Sequence, residues 1–209
     1  MSVMEVARNG TTKTVPATSD ITIENLLMHT GGFIYGIFDG GPLGELYDES
    51  GINSDGSSGQ TLEEFTKNLA KMPLKSQPGK EWNYSVSMDV LGRVVEVITG
   101  KRYADFLEER IFKPLGMKDT AFHVPADKAN RFASNYGPNE KKNGMVLLED
   151  AETSPYLKIP SLDSGGGGSV GTAADYLRFA QMLLNGGELD GVRIVSEESI
   201  ATMTTDHMG

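Results

Sequence analysis

The strongest constraint on the fold is an amphipathic helix that begins just after residue 84. Its apolar residues recur at the i, i+3, i+4, i+7 spacing of one helix face, at Leu91, Val94, Val95 and Ile98. Gly100 follows as the expected stop, because glycine readily adopts the left-handed conformation after the last helical turn. Asp89 and Arg93 are one turn apart, so we expect them to pair on the solvent-facing side.

A shorter helix is predicted nearer the N-terminus. Thr22 is its expected N-cap, since threonine commonly accepts a hydrogen bond from the first helical turn. The apolar face is predicted at Ile23, Leu26 and Leu27. Residues 31–32 are both glycine and are expected to end the helix, which places His29 in its last turn.

Capping boxes begin two more helices, at residues 61–64 and 172–175. The first of these is predicted to turn Leu62, Phe65 and Leu69 inward. Two further helices are expected over residues 103–112 and 196–203. Residues 36–60 are interpreted as a long surface loop, and residues 121–163 as irregular.

Strands are predicted to be short. Asn9 and Gly10 are a favourable turn pair between two β-prone runs in residues 3–15, which predicts a hairpin. No βαβ alternation is visible, so a doubly wound sheet is not expected. The predicted fold class is mainly α with short β pieces (α+β).

Composition narrows the range of partners and cofactors. The net charge is −10, which disfavours nucleic acid and anionic membrane surfaces. The chain has no cysteine, and its three histidines, His29, His123 and His207, are not spaced to share a helix face. We therefore expect no metal site and no cofactor. No targeting signal or membrane-spanning run is evident, so the cytoplasm is favoured as the compartment.

Three groups of residues are candidates for catalysis. Tyr84 precedes the amphipathic helix, where rigid backbone could hold its hydroxyl in a cleft; the alternative is a tyrosine that only packs its ring. Residues 167–171 match the G-x-S-x-G nucleophile elbow around Ser169. The alternative is a glycine hinge before a helix cap. The His29 and His207 triplets, each ending in glycine, could line a site, although His29 reads more simply as a helix-end residue.

Several segments, in this order and spacing, resemble the serine β-lactamase-related hydrolases. This group includes class C β-lactamases, family VIII carboxylesterases, D-aminopeptidases and related penicillin-binding proteins. The matching segments are residues 21–32, 78–85, 89–92, 112–120, 165–168 with 172–173, and 183–187. The resemblance implies the helical domain and adjoining segments of the serine β-lactamase and penicillin-binding-protein fold.

The resemblance also implies roles for individual residues. Tyr84 matches the family's general acid/base tyrosine, which acts with the serine and lysine of an S-x-x-K motif. Val86 stands where β-lactamases commonly carry a substrate-binding asparagine, which favours ester cleavage over β-lactam or D-peptide cleavage. Tyr35 lies in a region similar to the rim of the substrate cleft. The small-molecule substrate is therefore expected to be an ester or amide.

This sequence departs from the family pattern in its missing motifs. No lysine has a serine three positions before it, and no K-T-G motif is present. We expect the nucleophile upstream of Met1 and the third motif downstream of Gly209, which makes the chain a fragment that is inactive alone. The expected domains are residues 1–20 (hairpin and linker), 21–187 (helical domain carrying Tyr84) and 188–209 (truncated return to an α/β domain).

The main prediction is therefore a segment of a serine hydrolase. Two alternatives remain: a non-catalytic binding module that keeps a cleft, and an α/β-hydrolase that uses Ser169. An apolar face prepared for an absent sheet predicts self-association, or pairing with the missing segments.

Overall fold

The computed structural model describes residues 1–52 and 59–208. Its α-helices are α1 (Ile23–Leu27), α2 (Gly41–Glu49), α3 (Leu62–Leu69), α4 (Ser87–Thr99), α5 (Tyr103–Leu107), α6 (Ala173–Leu184) and α7 (Glu197–Met203). A π-helical turn, Glu108–Phe112, continues α5. Single 3₁₀ segments cover Gly36–Phe38, Ala126–Arg131 and Pro155–Leu157.

The strands form three separate antiparallel pairs. These are β1 (Ser2–Val6) with β2 (Thr12–Pro16), β3 (Asn135–Pro138) with β4 (Met145–Glu149), and β5 (Glu188–Leu189) with β6 (Val192–Arg193). The first pair is the hairpin predicted around Asn9 and Gly10. The predicted fold class, mainly α with short β pieces, is confirmed.

The main core forms where α3 and α4 pack beside the first hairpin. The predicted inward face of α3 is correct, since Leu62, Phe65 and Leu69 are all at most 2 % exposed. The capping box before it is also present, with Thr61 Oγ1 accepting from the Glu64 amide and the Glu64 carboxylate accepting from the Thr61 amide. A second cluster lies around α6 and is formed by Phe112, Leu115, Met117 and Met182.

The predicted face of α4 is only partly correct: Leu91 packs against the main core, but the end of the face at Ile98 does not. Ile98 is 74 % exposed, and the helix instead buries Ser87, Asp89 and Gly92. Small residues face inward because neighbours come close: a Cβ on Gly92 would lie 3.3 Å from a ring carbon of Tyr103. The expected pair of Asp89 with Arg93 is wrong. Asp89 is fully buried, and Arg93 binds Glu63 at 2.7 Å and Glu96 at 3.1 Å.

Helix α1 is shorter and less buried than predicted. Thr22 caps it as expected, but only Leu26 is buried, and Ile23 and Leu27 are more than half exposed. The glycines at residues 31–32 do not end it. The chain leaves the helix at His29, which itself takes the left-handed conformation with φ 53°.

Two segments predicted to be irregular contain regular structure. Within residues 36–60 the structure has a 3₁₀ turn and α2, whose i, i+4 pair Leu43 and Tyr47 is buried in the core. The part of that prediction over residues 53–58 lies outside the described residues. Residues 121–163 contain the β3–β4 hairpin and two 3₁₀ turns.

Only half of the predicted capping box at α6 is present. Thr172 Oγ1 accepts from the Asp175 amide at 3.2 Å, but the Asp175 carboxylate does not return to Thr172. It accepts instead from the Asp119 amide and from Thr120 Oγ1. No helix among the described residues is both long and apolar enough to span a bilayer.

Candidate active site

Tyr84 lies on a short segment that is fixed by backbone hydrogen bonds to the end of α1. The Gly79 amide donates to the Thr30 carbonyl at 2.8 Å, and the Asn83 amide donates to the His29 carbonyl at 2.9 Å. Tyr84 follows these anchors directly and is 48 % exposed. The phenol is therefore held at the surface by rigid backbone, and it is not enclosed in the apolar interior.

Four other aromatic rings surround that of Tyr84. Its ring centroid lies 5.2 Å from the ring centroid of His29 and 5.3 Å from that of Tyr35. Phe38 lies at 6.3 Å, and Trp82 is stacked at 6.4 Å. The structure thus brings together Tyr84 and Tyr35, both predicted from sequence, and His29, for which the sequence left a site role as an alternative. Phe38 and Trp82 are two further rings that were not predicted in the site.

His29 joins this group through its unusual backbone conformation. Its φ of 53° turns the imidazole back toward the segment that carries Tyr84. Nδ1 of His29 lies 3.2 Å from Ser85 Oγ, which in turn lies 2.9 Å from Ser87 Oγ. Burial lowers the pKa of the His29 imidazole below its ordinary value, because the charged form loses solvation. The ring is therefore neutral at physiological pH.

The buried carboxylate of Asp89 lies beneath the site. It accepts hydrogen bonds from Ser164 Oγ at 2.7 Å and from the Gly166 amide at 3.3 Å, and the Tyr35 hydroxyl lies 3.5 Å away. Burial raises the pKa of Asp89 above its ordinary value, while the bonds from Ser164 and from the backbone amides of Gly166 and Gly165 oppose that rise. Asp89 therefore joins α4, the glycine run and Tyr35.

Glycines 165 and 166 are required by close approach. A Cβ on Gly166 would lie 2.5 Å from the Tyr35 hydroxyl oxygen, and one on Gly165 would overlap the Met88 carbonyl oxygen. The sequence reasoning interpreted this run as a hinge and missed both contacts and Asp89. A carboxylate in the first turn of an amphipathic helix, together with a distant glycine run, was the available signal.

Val86 occupies a different position from the one that a substrate contact needs. Its side chain is 1 % exposed and belongs to the main core. It is also the N-cap residue of α4, without a side-chain capping bond. This burial gives no support to direct contact between Val86 and a substrate.

The arrangement around Ser169 lacks the parts of a nucleophile elbow. Residues 165–167 form a turn, no strand runs into Ser169, and α6 begins only at Ala173. His207 Nε2 lies 2.7 Å from the Thr202 carbonyl oxygen at the exposed end of α7, and Gly209 of its triplet lies outside the described residues. Ser85 does pair with His29, but it is 1 % exposed and closed to substrate. Tyr84, in contrast, is 48 % exposed.

Comparison with known proteins identifies the family to which this chain is similar. A profile described as Beta-lactamase matches residues 7–209. Protein Rv1367c of Mycobacterium tuberculosis is 38 % identical over 208 residues, which is 100 % of this chain and 50 % of its own length. Esterase EstB of Burkholderia gladioli is 38 % identical over 178 residues, which is 78 % of this chain and 44 % of its own length.

A solved structure agrees with these relatives. EstCE1, described as a hydrolase with promiscuous acyltransferase activity, superposes with a TM-score of 0.70 at 27 % identity. The match covers 94 % of this chain and 51 % of that chain. The chain spans about half the length of the curated relatives it matches.

Proposed function

Since the chain belongs to the beta-lactamase family, we propose that it forms the tyrosine-bearing part of a serine hydrolase pocket. In this proposal Tyr84 is the general acid/base of acyl transfer. The observation that carries the proposal is the position of Tyr84, half exposed on backbone that is bonded to the end of α1. A proton-transfer group must be both reachable and held in place, and this phenol meets both conditions.

The nucleophile is proposed to lie outside these 209 residues, because no lysine here follows a serine by three positions. A serine hydroxyl from an S-x-x-K motif would attack the ester carbonyl and pass its proton to the lysine and Tyr84. Tyr84 would return a proton to the departing alcohol, leaving an acyl-enzyme. Water would then release the acid and restore the serine. The chain alone is therefore proposed to be inactive.

An ester is the favoured substrate over a β-lactam or D-peptide. Val86 is apolar and buried at the position where β-lactamases commonly place an amide side chain. Valine lacks the hydrogen-bonding amide that the family pattern places there, but because its side chain is buried, Val86 itself is not proposed to contact the substrate. The similarity to an esterase and to EstCE1 supports the same direction.

The test uses the complete reading frame and 4-nitrophenyl acetate. With an S-x-x-K motif present, Tyr84→Phe should lower kcat by about 10²–10⁴-fold, the usual contribution of general acid–base catalysis. Tyr136→Phe is the matched control, because it removes an exposed tyrosine hydroxyl from β3, outside the site. It should leave the rate unchanged.

Two outcomes would overturn the proposal. One is turnover by the 209-residue chain alone that disappears in Tyr84→Phe. The other is a complete protein that binds the ester without cleaving it, which would favour a non-catalytic binding module. Loss of turnover in Ser169→Ala alone would instead favour the α/β-hydrolase alternative.

We further propose that the chain associates, with itself or with the rest of the family fold, through exposed apolar side chains. Leu177 and Leu184 of α6 are 65 % and 81 % exposed, and Val97 and Ile98 of α4 are similarly open. Apolar surface of this kind commonly marks an interface. Light scattering at increasing concentration should show a mass above one chain, and Leu184→Glu should reduce it. A monomeric mass at every concentration would contradict self-association and leave only pairing with the rest of the family fold.

A further inference from the structure

The aromatic rings around Tyr84 expose more apolar surface than a proton-transfer group requires. Phe38 is 69 % exposed and Trp82 is 55 % exposed, although burial of such rings is strongly favourable. Phe33, Tyr47, Phe65 and Phe122 are buried in the core, and the exposed Tyr136 and Tyr176 are not among the rings around Tyr84. Phe38 and Trp82 are therefore candidates for contact with a ligand.

Phe38 is held outward by the backbone on both sides of it. Its amide donates to the Tyr35 carbonyl at 3.1 Å, and the Asp39 amide donates to the Gly36 carbonyl at 3.2 Å. Helix α2 packs directly against this turn, since a Cβ on Gly44 would overlap the Asp39 carbonyl oxygen. Lys75 binds the Asp39 carboxylate from the other side. The ring is thus presented by a fixed turn.

Trp82 also lies on backbone that is held in place. It precedes Asn83, whose amide is bonded to the end of α1 and whose side chain donates to Ser76 Oγ at 3.3 Å. Its ring plane lies within 24° of that of Tyr84. Phe38 is inclined to the same ring by 37°. The phenol ring therefore has two exposed aromatic neighbours.

The aromatic rings around the phenol carry no charge, and the nearest carboxylate named in the site, that of Asp89, contacts Tyr35. The rings within 6.4 Å of it are those of His29, Tyr35, Phe38 and Trp82. The imidazole is neutral because burial lowers the pKa of His29. An uncharged aromatic surface favours flat apolar groups, since rings stack in offset or tilted contacts.

We propose that Phe38 and Trp82 form a stacking subsite for a flat, uncharged aryl group of the substrate. Aryl esters would then be selected over saturated esters of equal size. This inference rests on the proposed function in that the aryl group would lie beside the proton-transfer hydroxyl of Tyr84. Binding to the subsite, however, needs no nucleophile.

The test measures binding by the 209-residue chain without requiring turnover. Trp82 is its only tryptophan, so tryptophan emission reports on the subsite directly. Benzyl acetate and cyclohexylmethyl acetate are the probes, because they differ in having a flat or a puckered ring. Benzyl acetate should change the tryptophan emission saturably. It should bind about three- to ten-fold more tightly than cyclohexylmethyl acetate, as expected for one aromatic contact.

Substitutions separate stacking from simple apolar contact. Phe38→Leu keeps apolar area but loses the ring, and it should reduce the preference for benzyl acetate about three-fold or more. Tyr136→Leu is the matched control at another exposed aromatic residue and should leave the preference unchanged. Circular dichroism of each variant checks that the helices are retained.

The outcomes distinguish this inference from the proposed function. Equal binding of the two probes, or an unchanged preference in Phe38→Leu, would overturn the aryl subsite even if the complete protein cleaves esters. Preferential benzyl binding in a complete protein that does not cleave esters would retain the subsite and overturn the proposed function. Tyr84→Phe should keep the binding preference, because it keeps the ring.

Discussion

Ser164 Oγ donates a 2.7 Å hydrogen bond to the carboxylate of Asp89, and this bond joins two buried residues 75 positions apart. One partner lies in the first turn of α4, and the other immediately precedes the glycine run. The same carboxylate oxygen accepts from the Gly166 amide. The glycine run beside the candidate site is therefore attached through one buried acid to α4, the helix that follows Tyr84.

Ser164→Ala should destabilise the chain by about 1.5–3 kcal/mol at neutral pH, because a buried charged acceptor loses one of its donors. Urea unfolding followed by circular dichroism measures the change. Ser161→Ala is the matched control, since Ser161 is an exposed serine in the same segment, and its effect should stay within about 0.5 kcal/mol. Equal unfolding midpoints for the two variants would show that the bond contributes nothing.

Asp89→Asn tests the ionisation of the same group. Burial raises the pKa of Asp89, so the folded state holds its proton more tightly than the unfolded state does. This group therefore lowers stability as pH rises from its ordinary value of 3.8 through the raised value. Asparagine does not titrate, so Asp89→Asn removes this decrease of folding stability with pH. The stability of Asp89→Asn relative to the unsubstituted chain should rise with pH across this window, and a falling difference would contradict the assignment.

The glycine run offers a matched pair of substitutions. A Cβ on Gly165 would overlap the Met88 carbonyl oxygen, whereas a Cβ on Gly167 meets nothing within 4 Å. Gly165→Ala should cost about 1–3 kcal/mol through overpacking against the backbone of α4. Gly167→Ala should be neutral or slightly stabilising, because alanine restricts the unfolded chain. Similar urea midpoints for both variants would show that the run is not held against α4.

Sequence alone predicted those features that depend on neighbours three or four residues apart. The caps at Thr22 and Thr61 and the inward face of α3 are of this kind, because a cap and a helix face are local. The burial of Asp89 could not be predicted in the same way. It depends on Ser164, which lies far away in the sequence, and a carboxylate on a helix ordinarily faces solvent.

In the candidate site, too, local features could be predicted from the sequence and features that depend on distant residues could not. Tyr84 was identifiable from its local segment, whereas the approach of Phe38 and His29 depends on the path of α1 and the following turn. His29 was expected in the last helical turn, but it takes the left-handed position that glycine usually fills. Histidine adopts this conformation more often than most residues do, although still rarely. Propensity therefore placed the helix end at residues 31–32, and tertiary contacts moved it.

A second group of charges stabilises the region between Met117 and α6. The carboxylate of Asp119 binds Arg131 at 2.9 Å and Lys128 at 2.9 Å. These two cations lower the pKa of Asp119 to about 2. The hydrogen bond from Arg131 contributes most, followed by the one from Lys128. The backbone amide of Asp119 also donates to the Asp175 carboxylate, which links this group of charges to the first turn of α6.

Asp119→Asn should therefore lower stability at neutral pH and have little effect in acid. A carboxyl whose folded pKa is lowered contributes stability that is fully present above its ordinary value of 3.8 and is lost as pH falls through about 2. Urea midpoints of the variant and the unsubstituted chain should accordingly converge over that window, and added salt at neutral pH should narrow the gap. Asp127→Asn, at an exposed aspartate of the adjoining 3₁₀ turn, is the control for loss of one negative charge. A gap that stays constant down to about pH 2 would show that Asp119 acts by packing, with no contribution from its ion pairs.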